Sequence, residues 1–272
     1  MKNGWRISDS VDFISAWRGL RQLTGESGTW GFTISGLTYP GHSVLLRIHA
    51  KEVRFVTEAA RITIVYDNTS LEPELIPDWG FSCLVEAHGK RILFDTGAKG
   101  EILLHNMGHL GIDPADLDGV FISHSHFDHT GGLPEVLSGR SIPVYLPASI
   151  TVPTGKSNFV TIQEPVEIHP GIFSTGELAR IEQSLVVRFK RGLVVITGCS
   201  HPGVGAILKQ ASRLGSVAAL VGGLHGFKEF ELLESLKWIC PAHCSKYTEE
   251  LRNHFPGKVI GAGAGKILWF PE

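Results

Sequence analysis

Four side chains that can bind a metal ion occupy six consecutive positions of this 272-residue chain. They are His124, His126, Asp128 and His129, and the apolar run 119–122 directly precedes them. Such a run is typical of a buried strand, and a turn that leaves a strand can direct alternate residues toward one point. Imidazole and carboxylate groups are ligands of zinc and similar divalent ions. The segment therefore predicts a metal site at the end of a strand.

Composition indicates a soluble globular protein and gives no electrostatic case for a nucleic-acid partner. The 43% hydrophobic content allows a sizeable core, in one large domain or two small ones. The net charge is -2 and no block of lysine and arginine is present, which argues against a nucleic-acid partner. No apolar run of about 18 residues and no secretory signal pattern occur, so we expect a cytoplasmic protein without a membrane partner. These features do not predict an oligomeric state.

The four cysteines do not have the paired spacing of a structural zinc site. They are Cys83, Cys199, Cys240 and Cys244, and we expect buried, reduced thiols. Cys199 and Cys244 lie beside candidate ligand histidines in the sequence. Oxidation of these two thiols, or their binding to a soft metal, is therefore left open.

Residues 1–58 differ from the rest of the chain because they show weak periodicity and no catalytic cluster. Three interpretations compete: a lid or interaction arm, an unusual extension, or a translated leader ahead of a start near Val53. We expect the catalytic domain to comprise residues 59–272.

From Arg61 onward, strand and helix patterns follow one another in an order that occurs twice. Each time a hairpin is followed by a helix and a buried strand, which predicts two sheets packed together with helices outside and ligand loops at one edge. Residues 140–180 are expected to form turns and a sheet edge. Strands are predicted at 61–66, 81–86, 91–95, 119–123, 143–146, 166–168, 184–189, 193–197, 217–221 and 266–270, and helices at 99–110, 203–214, 229–238 and 246–254.

Three later histidines each follow an apolar strand candidate, and strand ends are where sheet proteins place their chemistry. His201 and His243 are expected to be metal ligands together with the first cluster. His225 could bind metal, contact substrate or hold a loop, and we favour one of the first two roles. The remaining histidines are interpreted as surface or structural residues: His42, His49, His88, His105, His109, His169 and His254.

These motifs together resemble the metallo-β-lactamase-fold superfamily of metal-dependent hydrolases over about residues 61–272. The HxHxDH signature of that superfamily matches residues 124–129, its earlier aspartate matches Asp95 in the segment 93–97, and its later histidines match His201 and His243. The resemblance implies an α/β fold, a four-layer αββα sandwich.

The resemblance also implies two groups of metal ligands. One metal ion would be held by His124, His126 and His201. The other would be held by Asp128, His129 and His243. Asp95 would accept a hydrogen bond that orients a ligand ring or the cluster loop. One or two zinc ions are expected, and iron or manganese also suits these ligands.

Four further segments resemble a narrower subgroup, often labelled dihydropterin-(ribofuranosyl)aminobenzene phosphate synthase. They are residues 66–68, 197–203, 222–225 and 241–244. This resemblance implies that a pterin diphosphate and a ribose-phosphate arylamine could be substrates.

One departure from the superfamily pattern is visible in the sequence: Asp128 is the last aspartate of the chain. Most dinuclear relatives have a later aspartate that bridges both metals, and the corresponding strand end here reads Gly222-Gly223-Leu224-His225. One imidazole nitrogen cannot readily bridge two ions as a carboxylate can. We therefore expect a weaker second metal or a more open site.

Signals for phosphate binding are weaker. The segment 261–266 fails the P-loop pattern because Ile260 and Ile267 occupy required positions, so a glycine turn is expected. A better anion site is predicted after His243, where Ser245 can cap a helix that begins near Lys246. The N-terminal amides of that helix and Lys246 would then point toward the metals, and a plain capped surface helix is the alternative. Three aromatic residues could line a flat substrate or belong to the core: Trp79, Phe127 and Phe227.

Taken together, these patterns predict a metal-dependent hydrolase that uses metal-activated water on a phosphorylated or otherwise anionic small molecule. Asp128 and His225 are the candidate catalytic side chains, Asp128 by orienting the water. Two alternatives stay open: a transferase that joins a pterin diphosphate to a ribofuranosyl-aminobenzene phosphate, and a non-catalytic metal-binding protein.

Overall fold

The computed structural model describes residues 59–152 and 158–271. The interpretations of residues 1–58 fall outside the described residues. The strands are β1 (Ala60–Tyr66), β2 (Ser82–Ala87), β3 (Lys90–Phe94), β4 (Gly119–Phe121), β5 (Val144–Pro147), β6 (Phe159–Ile162), β7 (Val166–His169), β8 (Ile172–Ser174), β9 (Leu185–Phe189), β10 (Gly192–Thr197), β11 (Val217–Gly223), β12 (Trp238–Ala242) and β13 (Ile267–Phe270). The α-helices are α1 (Gly100–His109), α2 (Phe127–Thr130), α3 (Leu133–Val136), α4 (Val204–Ala211) and α5 (Thr248–His254).

The strands form two mixed sheets. One has seven strands in the order β13-β1-β2-β3-β4-β5-β6, and the other has six in the order β12-β11-β10-β9-β8-β7. Strand β4 runs parallel to β3 and β5, and β11 runs parallel to β10 and β12. The carboxyl ends of parallel strands lie at the same edge of a sheet, so the loops that follow them collect there.

Side-chain alternation along each strand produces the layers. In β10, Val194 and Ile196 lie in the core between the sheets, whereas Leu193 and Val195 pack outside against α4 and α5. Helices α1 and α3 cover the outer face of the seven-stranded sheet in the same way. Each fully buried aliphatic side chain contributes about 1.5–3 kcal/mol to folding. The result is the predicted αββα sandwich.

One predicted helix, 229–238, is wrong. The structure has a 3-10 turn at Phe230–Leu233, followed by strand β12. The apolar spacing arises because Leu233 and Leu236 pack beneath this turn, and the pairing of β12 with β11 overrides helical propensity beyond it. Proline at position 241 is compatible with β12 because this strand forms an edge of its sheet.

The predicted cap at Ser245 is also wrong. Helix α5 begins at Thr248, and its N-cap residue, Tyr247, makes no capping hydrogen bond with its side chain. The Ser245 hydroxyl instead donates to the carbonyl of Ala242 at 2.8 Å and accepts from the backbone N–H of Leu224 at 2.9 Å. It therefore fastens the turn after β12 to the end of β11.

None of the helices in the described ranges is long and apolar enough to cross a membrane.

Candidate metal centre

Loops from both sheets bring six of the predicted ligands together. The segment after β4 supplies four of them, and the loops after β10 and β12 supply His201 and His243. The centroid of the His124 ring lies 4.2 Å from that of His129 and 4.8 Å from that of His201. The rings of His129 and His243 are 5.1 Å apart. Residues separated by more than 100 positions in sequence are thus adjacent in space.

The first ligand group consists of His124, His126 and His201. Nε2 of His124 and Nδ1 of His126 are 3.1 Å apart. Two nitrogen ligands of one tetrahedral zinc ion lie about 3.4 Å apart, given zinc–nitrogen bonds of about 2.1 Å. Nε2 of His201 is buried and has no hydrogen-bond partner among the described residues. This geometry fits a divalent cation.

The second group consists of Asp128, His129 and His243. Oδ2 of Asp128 lies 3.2 Å from Nε2 of His243 and 3.9 Å from Nε2 of His129. Nε2 of His243 is buried, and its contact with Asp128 does not have hydrogen-bond geometry, so within the described part of the chain it also lacks a partner. A buried polar atom without a partner costs about 1–3 kcal/mol, which a bound cation would offset.

Burial keeps most of these imidazoles neutral, which is the form that binds a metal. It lowers the pKa of His243 to about 4 and that of His124 well below its usual range, and neighbouring imidazoles act in the same direction. Burial also lowers the pKa of His201. His129 differs: burial lowers its pKa, but the Asp95 carboxylate raises it overall.

Comparison with known proteins identifies the family. Residues 77–212, half of the chain, match the family model of the metallo-beta-lactamase superfamily. The chain belongs to this superfamily. The predictions of the superfamily and of its fold are thereby confirmed. Membership of this superfamily and the two groups of predicted ligands together indicate a divalent-metal site.

Several relatives resemble this metallo-β-lactamase-fold chain over most of their length. The 7,8-dihydropterin-6-methyl-4-(beta-D-ribofuranosyl)-aminobenzene-5'-phosphate synthase of Methanocaldococcus jannaschii is 29% identical, over 71% of this chain and 92% of its own. The crystal structure of Tm1679, a metal-dependent hydrolase of the beta-lactamase superfamily, shares 27% identity and a TM-score of 0.64, over 77% of this chain and 98% of its own. The metallo-beta-lactamase fold protein YhfI of Bacillus subtilis shares 14% identity and a TM-score of 0.58, over 78% of this chain and 99% of its own. This similarity concerns the fold alone.

Asp95 orients the first ligand loop of this metallo-β-lactamase centre. It directly follows β3 in a left-handed conformation, with φ of 51°, and its side chain is fully buried. Its carboxylate lies 2.7 Å from Nδ1 of His129 and accepts from the N–H and hydroxyl of Ser123, also at 2.7 Å. The Ser123 hydroxyl is in turn 2.8 Å from Nδ1 of His124. These bonds leave the Nε2 atoms of both histidines free for a metal.

Asp67 and Asn68 position His243. Oδ1 of Asp67 accepts the N–H of His243 at 2.9 Å, and Nδ2 of Asn68 donates to its carbonyl at 2.9 Å. Oδ1 of Asn68 lies 3.0 Å from Nδ1 of the His243 ring. His243 has φ of 47°, so these contacts hold a backbone conformation that costs energy. The sequence indicated this segment only through its resemblance to a subgroup.

Glu182 is a functional residue that sequence reasoning missed. Its buried carboxyl group accepts backbone N–H groups from each residue of 198–201, at 2.9 to 3.1 Å, and the Thr197 hydroxyl at 2.9 Å. The turn that presents His201 therefore wraps around one acidic side chain. In the sequence, Glu182 is visible only as a single glutamate shortly before the apolar strand β9, and no motif marks it.

His225 and Lys246 lie at the rim of the centre. The His225 side chain is exposed, and its ring centroid is 5.2 Å from that of His201. The carbonyl of His225 accepts the N–H of Lys246 at 2.9 Å. The predicted helix start near Lys246 is displaced to Thr248, with Tyr247 as the N-cap residue.

Proposed function

We propose that this protein is a metal-dependent hydrolase that acts on a phosphorylated or otherwise anionic small molecule. The principal observation is the pair of ligand groups, with His124 and His126 ligand atoms 3.1 Å apart and Asp128 and His243 ligand atoms 3.2 Å apart. Two buried histidine nitrogens that lack partners in the described residues complete these groups. Zinc suits the ligands best, with one or two ions per chain, and iron or manganese is compatible with them.

His124, His126 and His201 would hold one ion, and Asp128, His129 and His243 the other. A divalent ion bound there would lower the pKa of a bound water and polarise a phosphoryl or carbonyl group of the substrate. One carboxylate oxygen of Asp128, Oδ2, lies 3.2 Å from Nε2 of His243. The second oxygen would orient the attacking water or accept a proton from that water. His225, exposed at the rim, would donate a hydrogen bond to an anionic group of the substrate.

Two aromatic side chains beside the ligands favour a substrate with a flat apolar part. The Trp79 ring lies 4.7 Å from the His243 ring and is 53% exposed. Phe127, between two ligands in sequence, is 68% exposed, so neither ring belongs to the core. Exposed aromatic faces of this kind stack on planar ligands. We infer that the anionic substrate also carries a ring.

The hydrolase proposal is tested with metal-depleted and metal-restored protein. Purified protein is analysed for metals, treated with a chelator, and assayed on phosphate monoesters, phosphate diesters, lactones and β-lactams. We expect hydrolysis of a phosphoester that depends on restored metal, and at least a 100-fold loss of kcat/KM in His126→Ala. His109→Ala, an exposed histidine on α1, should retain full activity. An intact, active His126→Ala variant without bound metal would refute catalytic metal use.

A second candidate is a transferase that joins an arylamine to a pterin diphosphate. It is favoured by the 29% identical relative, whose name is that of such a synthase, and by the exposed ring of Trp79. Product analysis separates the two: a coupled product formed only with amine present indicates the transferase, and turnover with water alone indicates the hydrolase. Bound metal without turnover in either assay would indicate a non-catalytic metal-binding protein.

A further inference from the structure

The thiol of Cys199 lies between the two ligand groups. Its sulfur is within 4.8 Å of a ring nitrogen of His124 and of His201, and equally within 4.8 Å of a ring nitrogen of His129 and of His243. The distance to Nε2 of His129 is 3.3 Å. Every cluster of three potential ligands found among residues 59–152 and 158–271 contains Cys199.

Cys199 is not packed like a structural thiol. Cys83 and Cys240 lie in the apolar core between the sheets, whereas Cys199 belongs to none of the hydrophobic clusters of the described residues. Cys199 is only 4% exposed. Its buried sulfur therefore has the ring nitrogens of predicted ligand histidines as neighbours, and not apolar side chains of the core. The thiolate is the form of cysteine that binds a metal, and a metal ion beside a thiol favours that form.

A second observation points to a ligand beside this sulfur. Nε2 of His201 and Nε2 of His243, one from each group, are buried without a hydrogen-bond partner in the described part of the chain. The His243 side chain is 0% exposed, so water does not offset the loss. Each of the two ligand groups near the sulfur therefore contains a ring nitrogen without a hydrogen-bond partner among the described residues.

We propose that Cys199 is a thiolate ligand shared by the two metal positions, replacing the late aspartate that this chain lacks. A thiolate sulfur has several lone pairs and can bind two divalent ions at once, and zinc accepts sulfur readily. On binding, the S–H bond breaks, its proton passes to solvent and two metal–sulfur bonds form, with no change of oxidation state. This inference rests on the metal centre of the proposed function.

Cys244 provides a matched control. Its sulfur lies 3.9 Å from the carbonyl oxygen of Cys199 and shares a cluster with Cys199 and His225, but it belongs to neither histidine pair. It is also buried, at 9% exposure, and it directly follows the predicted ligand His243. Replacing it changes the local packing without removing the shared atom.

The experiment uses the full chain, depleted of metal and loaded with cobalt(II). We expect about two cobalt ions per chain and a near-ultraviolet absorption from sulfur-to-cobalt charge transfer. Cys199→Ser should lose this absorption and bind about one ion, whereas Cys199→Asp should lose the absorption but again bind about two, because a carboxylate can bridge. Cys244→Ser should keep both properties.

Two results would overturn the proposal: unchanged absorption in Cys199→Ser, whatever Cys244→Ser shows, or no recovery of the second ion in Cys199→Asp. Cadmium-113 NMR of the loaded wild-type protein gives a test that does not depend on the folding of a variant. Two sulfur-shifted signals support a shared thiolate, and one sulfur-shifted signal refutes it. Metal-dependent hydrolysis in wild-type protein with any of these adverse results would remove this inference alone, whereas absence of bound metal would remove the proposed function as well.

Discussion

Replacement of Glu182 by glutamine tests how strongly the presentation of His201 depends on one carboxyl group. The amide keeps one acceptor oxygen but places N–H donors against backbone N–H groups of the turn 198–201, which lie within 3.1 Å of the native oxygens. Each buried donor left without an acceptor costs about 1–3 kcal/mol. We expect Glu182→Gln to lower the free energy of unfolding by about 2–4 kcal/mol and the affinity for zinc by about 10- to 100-fold.

Urea denaturation and competition with a zinc chelator measure the two effects. Glu177→Gln is the matched control, because Glu177 accepts a single backbone N–H, that of Ser149 at 2.8 Å. A loss of stability in Glu182→Gln with unchanged zinc affinity would show that this residue stabilises the turn without positioning the ligand.

Asp95→Asn should weaken the second metal position more than the first. The asparagine amide would face Nδ1 of His129, now 2.7 Å from a carboxylate oxygen, and the ring would lose the partner that holds its orientation. Loss of such a partner costs about 10- to 100-fold in metal affinity. Zinc titration followed by elemental analysis should show one tight site and one weakened site. Asp118→Asn, at the opposite end of β4, should bind zinc as the wild type does.

At the scale of elements, the junction of β10 and β11 depends on a glycine. Gly222 has φ of 120°, and a Cβ atom there would lie 1.9 Å from the carbonyl oxygen of Thr197. We expect Gly222→Ala to lower the free energy of unfolding by about 3 kcal/mol or more, because strain and overlap add. Thermal denaturation measures this change. Gly226→Ala, four residues on in open space, should be almost neutral, and an equal effect at both positions would contradict the argument.

Most strands could be predicted because the pattern of each is local. Strand β10 is an apolar run with a clear end, and the β3 prediction at 91–95 differs from Lys90–Phe94 by one residue. The predicted ligands that follow such strands were identified in the same way, because the end of each strand is visible in the local sequence. Strand β12 could not be predicted, because its five residues acquire their conformation from pairing with β11.

The partners of the ligands were harder to predict than the ligands. Glu182 and Asp67 act through backbone N–H groups supplied by turns that are distant in sequence. Any acceptor of suitable length can fill that role, so no residue pattern marks it. The sharing of Cys199 by two groups likewise depends on distances that arise only after both sheets have packed.

At the scale of the whole molecule, the buried histidines make the stability of the metal-free protein depend on pH. The folded pKa of His243 is about 4, against about 6.5 when unfolded, so between these values the unfolded chain binds more protons. Stability is therefore fully present above pH 6.5 and falls as acid is added. From pH 7 to pH 5, this residue alone should account for a loss of about 2 kcal/mol.

Denaturant unfolding of metal-free protein at both pH values measures this loss. His243→Gln has no titrating group at this position, so its stability should change less with pH, by about 2 kcal/mol over the same interval. An identical pH dependence in the variant and the wild type would contradict the assignment of the effect to His243.

The predicted ligands come from segments that follow strands of both sheets: Asp128 and His129 lie in α2, after β4, and His243 lies in the loop after β12. An ion bound to all three is thus a cross-link that closes a chain segment of more than 100 residues. Separation of the sheets at this edge would require the bonds between the ion and its ligands to break and the apolar core surface to become exposed to water. Opening of the sandwich at this edge should consequently require the ion to leave first, so that bound metal slows unfolding of the native state.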